Sequence, residues 1–149
     1  MAVAVLDAPV DAELCIQPRM ADVRLASEWL ARSGAALAVP EENIGRLDLC
    51  LNEALANVIA HGGEGAAAQP LCLLLRVRTL QGGGEASLTV SDAGTAFDAT
   101  AAPLAVPASS LADAMPGGLG LLMMRKFSDA LVYQRKDDRN LLSITVRWA

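Results

Sequence analysis

The chain has 149 residues, of which 53% are hydrophobic and 19% charged, and its formal net charge is −5 at pH 7. This composition excludes a disordered chain, and the length suits a single domain, 1–149, with its own core. The negative charge and the lack of a Lys/Arg cluster exclude nucleic acid as the main partner. No apolar stretch approaches the ~18 residues of a membrane span.

The N-terminal residues carry no basic segment before an apolar run, so we predict no signal peptide. The three cysteines, Cys15, Cys50 and Cys72, are odd in number, fit no metal-binding spacing and have apolar neighbours. We therefore expect three buried thiols in a reducing cytoplasm.

The first elements are predicted from hydrophobic periodicity. A short strand is expected around 14–17 and a helix over 19–32, which the Ser-Gly pair at 33–34 ends. A second helix begins at Glu41, where the helix dipole favours acidic residues, and stops at the glycines 62–63.

A loop of small residues then leads to a series of strands. Four segments alternate apolar and polar side chains and are predicted to be strands: 71–79, 86–91, 130–134 and 142–148. Turns are expected at 81–84 and 136–140, and a helix from the glycines at 117–120 to about Phe127. Strands with one apolar face need helices to cover it, which predicts an α+β, two-layer α/β sandwich whose sheet is mixed or mostly antiparallel.

The segment 99–116 has no clear periodicity and contains three prolines. It is long for a loop in a compact domain, and such loops tend to be functional lids or disordered.

The stretch from Leu47 to Gly63 carries the first candidate chemistry. Beside its apolar stripe lie Glu53, Asn57 and His61, spaced four residues apart on one helix face. A carboxylate one turn from a carboxamide, at the edge of an apolar stripe, is unusual for a plain core helix. On this stretch alone, solvated polar positions are the favoured alternative.

A second candidate is the stretch VSDAGTAFD at 90–98, where Asp92 falls at a strand end. A carboxylate there can accept a hydrogen bond from a ligand amino group. Gly94 has no Cβ, so a planar ring can approach the backbone closely. The alternative is a simple turn built from Asp and Gly.

A third candidate is GGLGLL at 117–122, which opens a helix. Free backbone N–H groups and the positive end of the helix dipole make it a phosphate site, the alternative being a flexible loop. It is neither a P-loop, since no Gly-Lys-Ser/Thr follows, nor a dinucleotide fingerprint, because Met123 replaces its third glycine.

Together the three stretches suit one ligand. Asp92 would accept from an adenine amine, Gly118 and Gly120 would hold phosphates, and Asn57 would give an oxygen to Mg²⁺. Glu53 would then be the general base for a hydroxyl or water that attacks the γ-phosphate of ATP.

These residues resemble a known family. NEALANVIAHGG is similar to the N box, VSDAGTAFD to the G1 box and GGLGLLMM to the G2 box of GHKL-type ATPase and kinase domains with the Bergerat fold. The resemblance runs from about residue 19 to the C-terminus and implies an ATP lid at about 99–119. The most similar subfamily is that of the anti-sigma factor serine kinases of the RsbW type.

The resemblance implies a role for each matching residue. Glu53 is the base, Asn57 the Mg²⁺ ligand and Asp92 the adenine-binding carboxylate. Further nucleotide contacts are implied at Gly94, Phe97, Gly118, Leu119 and Gly120. The implied reaction transfers the γ-phosphate of ATP to a serine of a STAS-domain anti-anti-sigma protein; binding of a sigma factor and a homodimer are also implied.

Other functions fit less well. A nucleotide-gated binding module with little turnover is the main alternative, because the expected lid has no Lys or Arg and closure would need another residue such as Arg125. An ATPase subunit of a larger machine would need a second domain. A sensor histidine kinase would need a phosphoacceptor hairpin, so His61 is interpreted as a structural histidine with satisfied hydrogen bonds.

Overall fold

The computed structural model describes residues 10–101 and 118–149, so the predicted lid lies outside the described residues except for its two ends. The elements in chain order are β1 (Val10–Ile16), α1 (Met20–Ala36), α2 (Glu41–His61), α3 (Gly63–Ala68), β2 (Leu71–Leu80), β3 (Gly83–Asp92), a single 3₁₀ turn (Ala99–Ala101), α4 (Gly118–Phe127), β4 (Ala130–Lys136) and β5 (Arg139–Trp148).

The strands form one sheet in the order β1-β2-β3-β5-β4. All four pairings are antiparallel, so the expected α+β sandwich with a mostly antiparallel sheet is confirmed. The glycine-rich segment after β2 is a hairpin turn, as predicted, because Leu80 pairs directly with Gly83.

The period of two along each strand sends one set of side chains into a single core. That core joins the sheet to α1, α2 and α4, and its fully buried side chains include Leu30, Leu47, Leu51, Leu55, Leu73, Leu75, Leu88, Met124 and Ile144. Burying each such side chain stabilises the fold by about 1.5–3 kcal/mol before entropy is counted.

The central helix lies where the sequence predicts it. Its stripe of Leu47, Leu51 and Leu55 is fully buried against the sheet, and α1 and α4 flank it. The helix therefore holds the residues beside that stripe, Glu53 and Asn57, in a rigid frame.

Several strands begin earlier or end later than predicted, and two helical regions differ as well. The first helix continues through Gly34, because this glycine lies against Ile44 and any Cβ there would come within 2.9 Å of its side chain. Close packing of α1 on α2, rather than a helix stop, explains the glycine. The loop predicted after the central helix is instead the short helix α3, in which the small side chain of Ala66 is buried.

The expectation of three buried thiols is wrong for two of them. Cys50 is buried, but Cys15 and Cys72 face each other across β1 and β2 and form a disulfide bond. Their apolar neighbours point into the core, and alternation along a strand turns the cysteines themselves to the opposite face. No helix among residues 10–101 and 118–149 is long and apolar enough to cross a membrane.

The N-terminus of α1 is fixed by a buried carboxylate. Asp22 accepts hydrogen bonds from Arg19 Nε (2.8 Å) and from the backbone N of Gln17 (3.0 Å). The Arg19 bond, followed by the Gln17 bond, lowers the pKa of Asp22 below its usual value. Since the folded pKa is depressed, the stabilisation is present above the unfolded pKa, about 3.9, and is lost as the pH falls through the folded value.

We predict that Asp22→Asn flattens this acid dependence. The variant should be less stable than the wild type at pH 7 but should lose less stability between pH 5 and the acid limit, about pH 2. Melting temperatures across that range measure it, with Glu28→Gln on the exposed face of the same helix as the control. Parallel curves for the wild type and Asp22→Asn would refute the assignment.

Candidate functional site

A cleft opens between the C-terminal half of α2 and the adjoining ends of β3 and β5. Its walls combine apolar side chains with a few polar ones, an arrangement typical of small-molecule sites. The lining residues are Ala54, Asn57, Val58, His61, Gly62, Val90, Asp92, Thr95, Phe97, Ala99, Tyr133, Asn140 and Leu142.

Asp92 is the buried acid of this cleft. It ends β3 and is only 6% exposed. Its Oδ1 accepts from Gly94 N (2.8 Å) and Asn140 Nδ2 (3.0 Å). Among the described residues, none donates to Oδ2, so one oxygen holds the carboxylate in place and the other is available to a ligand.

Asn140 connects Asp92 to the loop that follows it. It is also 6% exposed and pairs with Asp92 across β3 and β5. Its Nδ2 donates to Thr95 O (2.9 Å), and its Oδ1 accepts from Phe97 N (3.2 Å). One carboxamide thus fixes both the acid and the backbone of the loop from residue 94 to 97.

Two side chains of β4 complete this network. Tyr133 donates its hydroxyl to Asn140 Oδ1 (2.6 Å). Arg135 Nη1 donates to the same oxygen (3.2 Å) and to Gly94 O (2.8 Å). Because the orientation of Asn140 is held by these donors, its NH₂ group must face Asp92.

The end of α2 packs directly on the same loop. Thr95 N donates to Gly62 O (3.1 Å). A Cβ at Gly94 would lie 2.7 Å from that oxygen and 2.9 Å from Asp92 Oδ1. Only glycine therefore allows the loop to approach both the helix end and the acid.

Two rings stand at the rim of the cleft. His61 and Phe97 stack with their centroids 5.5 Å apart and an interplanar angle of 30°. Both side chains are exposed, and the His61 ring makes no hydrogen bond to a described residue. Its contact with Phe97 is a packing contact at the rim, and the interpretation of His61 as a structural histidine stays a prediction.

Glu53 lies one turn before Asn57 and beside the first turn of α4. A Cβ added to Gly120 would collide with Glu53 Oε2, so the backbone of α4 runs against the carboxylate. Asn57 is half-buried in the cleft wall and makes no side-chain hydrogen bond to a described residue. No cluster of three or more His, Cys, Asp and Glu side chains capable of binding a metal occurs in the described part of the chain.

Comparison with known proteins agrees with this geometry. Residues 16–146 match the family model of the histidine kinase-like ATPase domain. The chain belongs to the histidine kinase-like ATPase family.

Similarity to a second protein indicates the enzyme class. This histidine kinase-like ATPase domain is 43% identical over 99 residues, 66% of this chain and 67% of the relative, to the serine/threonine-protein kinase BtrW of Bordetella bronchiseptica. The predicted family and the predicted enzyme class, a protein serine/threonine kinase, are confirmed.

The predicted site residues of this ATPase domain fall in three places. Asn57, Asp92 and Phe97 line the cleft, and Gly94 packs behind Asp92. Glu53 lies against Gly120, outside the cleft wall but one turn along the same helix. Gly118 and Leu119 form the start of α4. The roles assigned to these residues stay predictions.

The residues that hold Asp92 are not among the predicted site residues. The sequence predicts a turn over 136–140, whereas β5 begins at Arg139 and makes Asn140 its second residue. Two aspartates in the left-handed region, Asp137 (φ 52°) and Asp138 (φ 60°), form the tight turn before it. An Asp-Asp pair lacks the glycine that usually marks such turns, so the pattern predicts a longer turn than the structure has.

We predict that Asn140→Ala destabilises this ATPase domain by about 1–3 kcal/mol, because several buried donors and Asp92 lose their partner. Urea denaturation measures the change in unfolding free energy. Gln134→Ala, on the exposed part of β4, is the matched control and should stay near the wild type. An Asn140→Ala variant as stable as that control would show that the network is unimportant.

Proposed function

We propose that this ATPase domain is a serine protein kinase that transfers the γ-phosphate of ATP to a serine of a STAS-domain anti-anti-sigma protein. The observation that carries the proposal is the arrangement along α2 and the cleft: an acid with one available oxygen at one end, Asp92, and a carboxylate against the start of α4 at the other, Glu53. The likeness to a serine/threonine-protein kinase supports the same reaction.

The adenine end of the site is formed around Asp92. Its available Oδ2 accepts a hydrogen bond from the exocyclic amine of adenine, whereas the carbonyl of guanine would be repelled. Phe97 and the stacked His61 offer an aromatic surface at the rim of the same cleft. The base therefore binds between the sheet end and these rings.

The phosphate end is formed by the first turn of α4. The backbone N–H groups of Gly118, Leu119 and Gly120 lie in the first turn of a ten-residue helix and have no partner within that helix, and the dipole adds positive potential there. The contact between Gly120 and Glu53 brings this turn beside the carboxylate. A triphosphate bound there lies next to the proposed base.

Mg²⁺ fits this donor set only as part of an ATP complex. Asn57 offers one neutral oxygen that no described residue engages, and the described residues contain no multi-ligand metal cluster. Such a site suits an ion that takes most of its oxygens from phosphates and water. When bound, the ion would neutralise charge on the phosphates, with Asn57 as its protein ligand.

The transfer step uses Glu53 as the general base. Its carboxylate takes the proton of the attacking serine hydroxyl, the serine oxygen forms a bond to the γ-phosphorus, and the bond from that phosphorus to the bridging oxygen breaks. ADP leaves with that electron pair. A positioned base of this kind contributes about 10²–10⁴-fold to the rate.

The remaining parts of the proposal concern the setting of the reaction. We propose a cytoplasmic protein that acts as a regulatory switch, phosphorylating its STAS-domain partner, binding a sigma factor and forming a homodimer. It interacts with neither nucleic acid nor a membrane. The acidic net charge of −5 supports the absence of a nucleic-acid partner.

One observation favours the alternative of a nucleotide-gated binding module. The expected lid, 99–119, has no Lys or Arg. The nearby Arg125 donates to the carbonyl of Thr100 (2.8 Å) and is therefore engaged at the start of the lid. Without a Lys or Arg side chain at the γ-phosphate, nucleotide would bind but turn over slowly.

The adenine assignment predicts nucleotide selectivity. ATP and ADP with Mg²⁺ should raise the melting temperature, and GTP should do so little. Asp92→Asn should weaken ATP binding by about 1.5–3 kcal/mol, roughly 10- to 150-fold in Kd. Calorimetric titration measures this, with Asp138→Asn in the exposed β4–β5 turn as control. Equal stabilisation by GTP and ATP would contradict the assignment.

The base assignment predicts a separation of binding from transfer. Glu53→Gln keeps the size of the side chain and removes its basicity, so ATP affinity should hold while phosphotransfer falls about 10²–10⁴-fold. Single-turnover transfer from labelled ATP to a co-encoded STAS protein measures this. Glu42→Gln, exposed in the first turn of α2, is the control on the same helix.

Two outcomes of that experiment would redirect the proposal. Transfer at the wild-type rate by Glu53→Gln would show that another group is the base. ATP binding by the wild type without transfer to any STAS protein would favour the nucleotide-gated binding module instead.

A further inference from the structure

A disulfide bond lies on the sheet face away from the helices. Cys15 on β1 and Cys72 on β2 are direct register partners, and their sulfurs are bonded. The residues before and after them along each strand point into the core, as the buried Ile16, Leu71 and Leu73 show. The bond is therefore on the opposite surface of the sheet from the ATP cleft and its helices.

This bond is open to reagents in solution. Cys15 is exposed and Cys72 half-buried. Both line a shallow surface depression, and its other residues are Glu13, Leu73, Leu74, Thr89, Ser91 and Leu141. A thiol can thus approach either sulfur without unfolding the chain.

The third cysteine is chemically separate from this pair. Cys50 is 1% exposed, and it lies on the helix side of the sheet, with its Sγ 3.8 Å from Met124 O. Burial raises the pKa of its thiol to about 11, so it stays protonated at neutral pH. Since only the thiolate is a nucleophile, Cys50 does not exchange with the disulfide.

The bond also closes a loop that carries half of the proposed site. The two cysteines are separated by 57 residues, and the loop between them contains α1, α2 and α3. Glu53 and Asn57 are inside it, whereas Asp92 is outside. Moreover, β1 is the edge strand of the sheet that the described residues form, where β2 is its one neighbour, so the disulfide is its covalent link to that sheet.

We propose that Cys15 and Cys72 are a redox modification site, at which the bond between β1 and β2 opens and closes reversibly by exchange with thiols in solution. Disulfides in a reducing cytoplasm are usually transient and redox-sensing. An exposed pair on an edge strand, with the remaining thiol buried and unreactive, has the features of such a couple. This inference rests on the proposed cytoplasmic setting and not on the kinase reaction.

An external dithiol can supply the two electrons that opening of the disulfide requires. One of its thiolates attacks one sulfur of the pair, forming a mixed disulfide, and the other cysteine leaves as a thiolate. The second thiol of the reductant, as its thiolate, then attacks the reductant sulfur of the mixed disulfide, and the protein cysteine leaves as a thiolate. Both cysteine thiolates then take up a proton. The reductant ends as a disulfide, two electrons and two protons having passed to Cys15 and Cys72.

The test counts thiols in the intact wild-type protein. The protein is equilibrated with excess dithiothreitol or with excess oxidised glutathione. It is then unfolded and alkylated, and the number of alkylated cysteines is determined by mass spectrometry. We expect three alkylated cysteines after reduction and one, mapping to Cys50, after oxidation. Three free thiols, or glutathione adducts at Cys15 and Cys72, after oxidation would overturn the proposal.

Melting curves test the structural consequence. Opening a loop of this length should lower the melting temperature by about 10 °C, reversibly. Cys50→Ala should keep the redox-dependent shift, and Cys15→Ser should abolish it. A wild-type melting temperature equal in both conditions would also overturn the proposal. Thiol counting decides the question by itself if Cys15→Ser fails to fold.

Discussion

The site depends on one buried carboxamide, Asn140. Its two polar ends have different partners: the NH₂ group donates to Asp92 and Thr95, and the oxygen accepts from the loop backbone and from β4. Leaving any of these groups without a partner costs about 1–3 kcal/mol, so they favour one arrangement of the loop. The carboxylate is therefore oriented before a ligand arrives, which reduces the ordering required on binding.

Glycines set how closely the remaining parts of the site approach one another. Gly94 allows the loop to pack on Gly62 at the end of α2, and Gly120 allows α4 to pack on Glu53. At Gly94 a Cβ would meet the backbone of Gly62 and force the two segments apart, whereas at Gly120 it would meet the end of the Glu53 side chain and displace the carboxylate. The arrangement of the two parts of the proposed nucleotide site thus depends on the absence of side chains as well as on the polar groups.

The sequence was most informative where a pattern spans several turns or strands. The apolar stripe of α2 and the alternation in β2, β3 and β5 predicted both layers, and three short motifs predicted Asp92 and Asn57 in one site. The sequence pattern does not predict the role of Asn140, because that role arises from the pairing of β3 with β5, which brings together residues 48 positions apart. The disulfide is not predicted for a similar reason, since the register between β1 and β2 is what brings Cys15 opposite Cys72.

Different interactions hold the two halves of the candidate site in place. Glu53 and Asn57 lie on a helix whose buried leucines fix it to the sheet, so their spacing follows from helix geometry alone. Asp92 and Phe97 lie at a strand end and on a loop, where hydrogen bonds to Asn140, the bond from Thr95 to Gly62 and the stacking of Phe97 on His61 hold them. A change in the core of α2 would therefore move Glu53 and Asn57 together. A change at Asn140, Tyr133 or Arg135 would alter the surroundings of Asp92 while leaving the spacing of Glu53 and Asn57 intact.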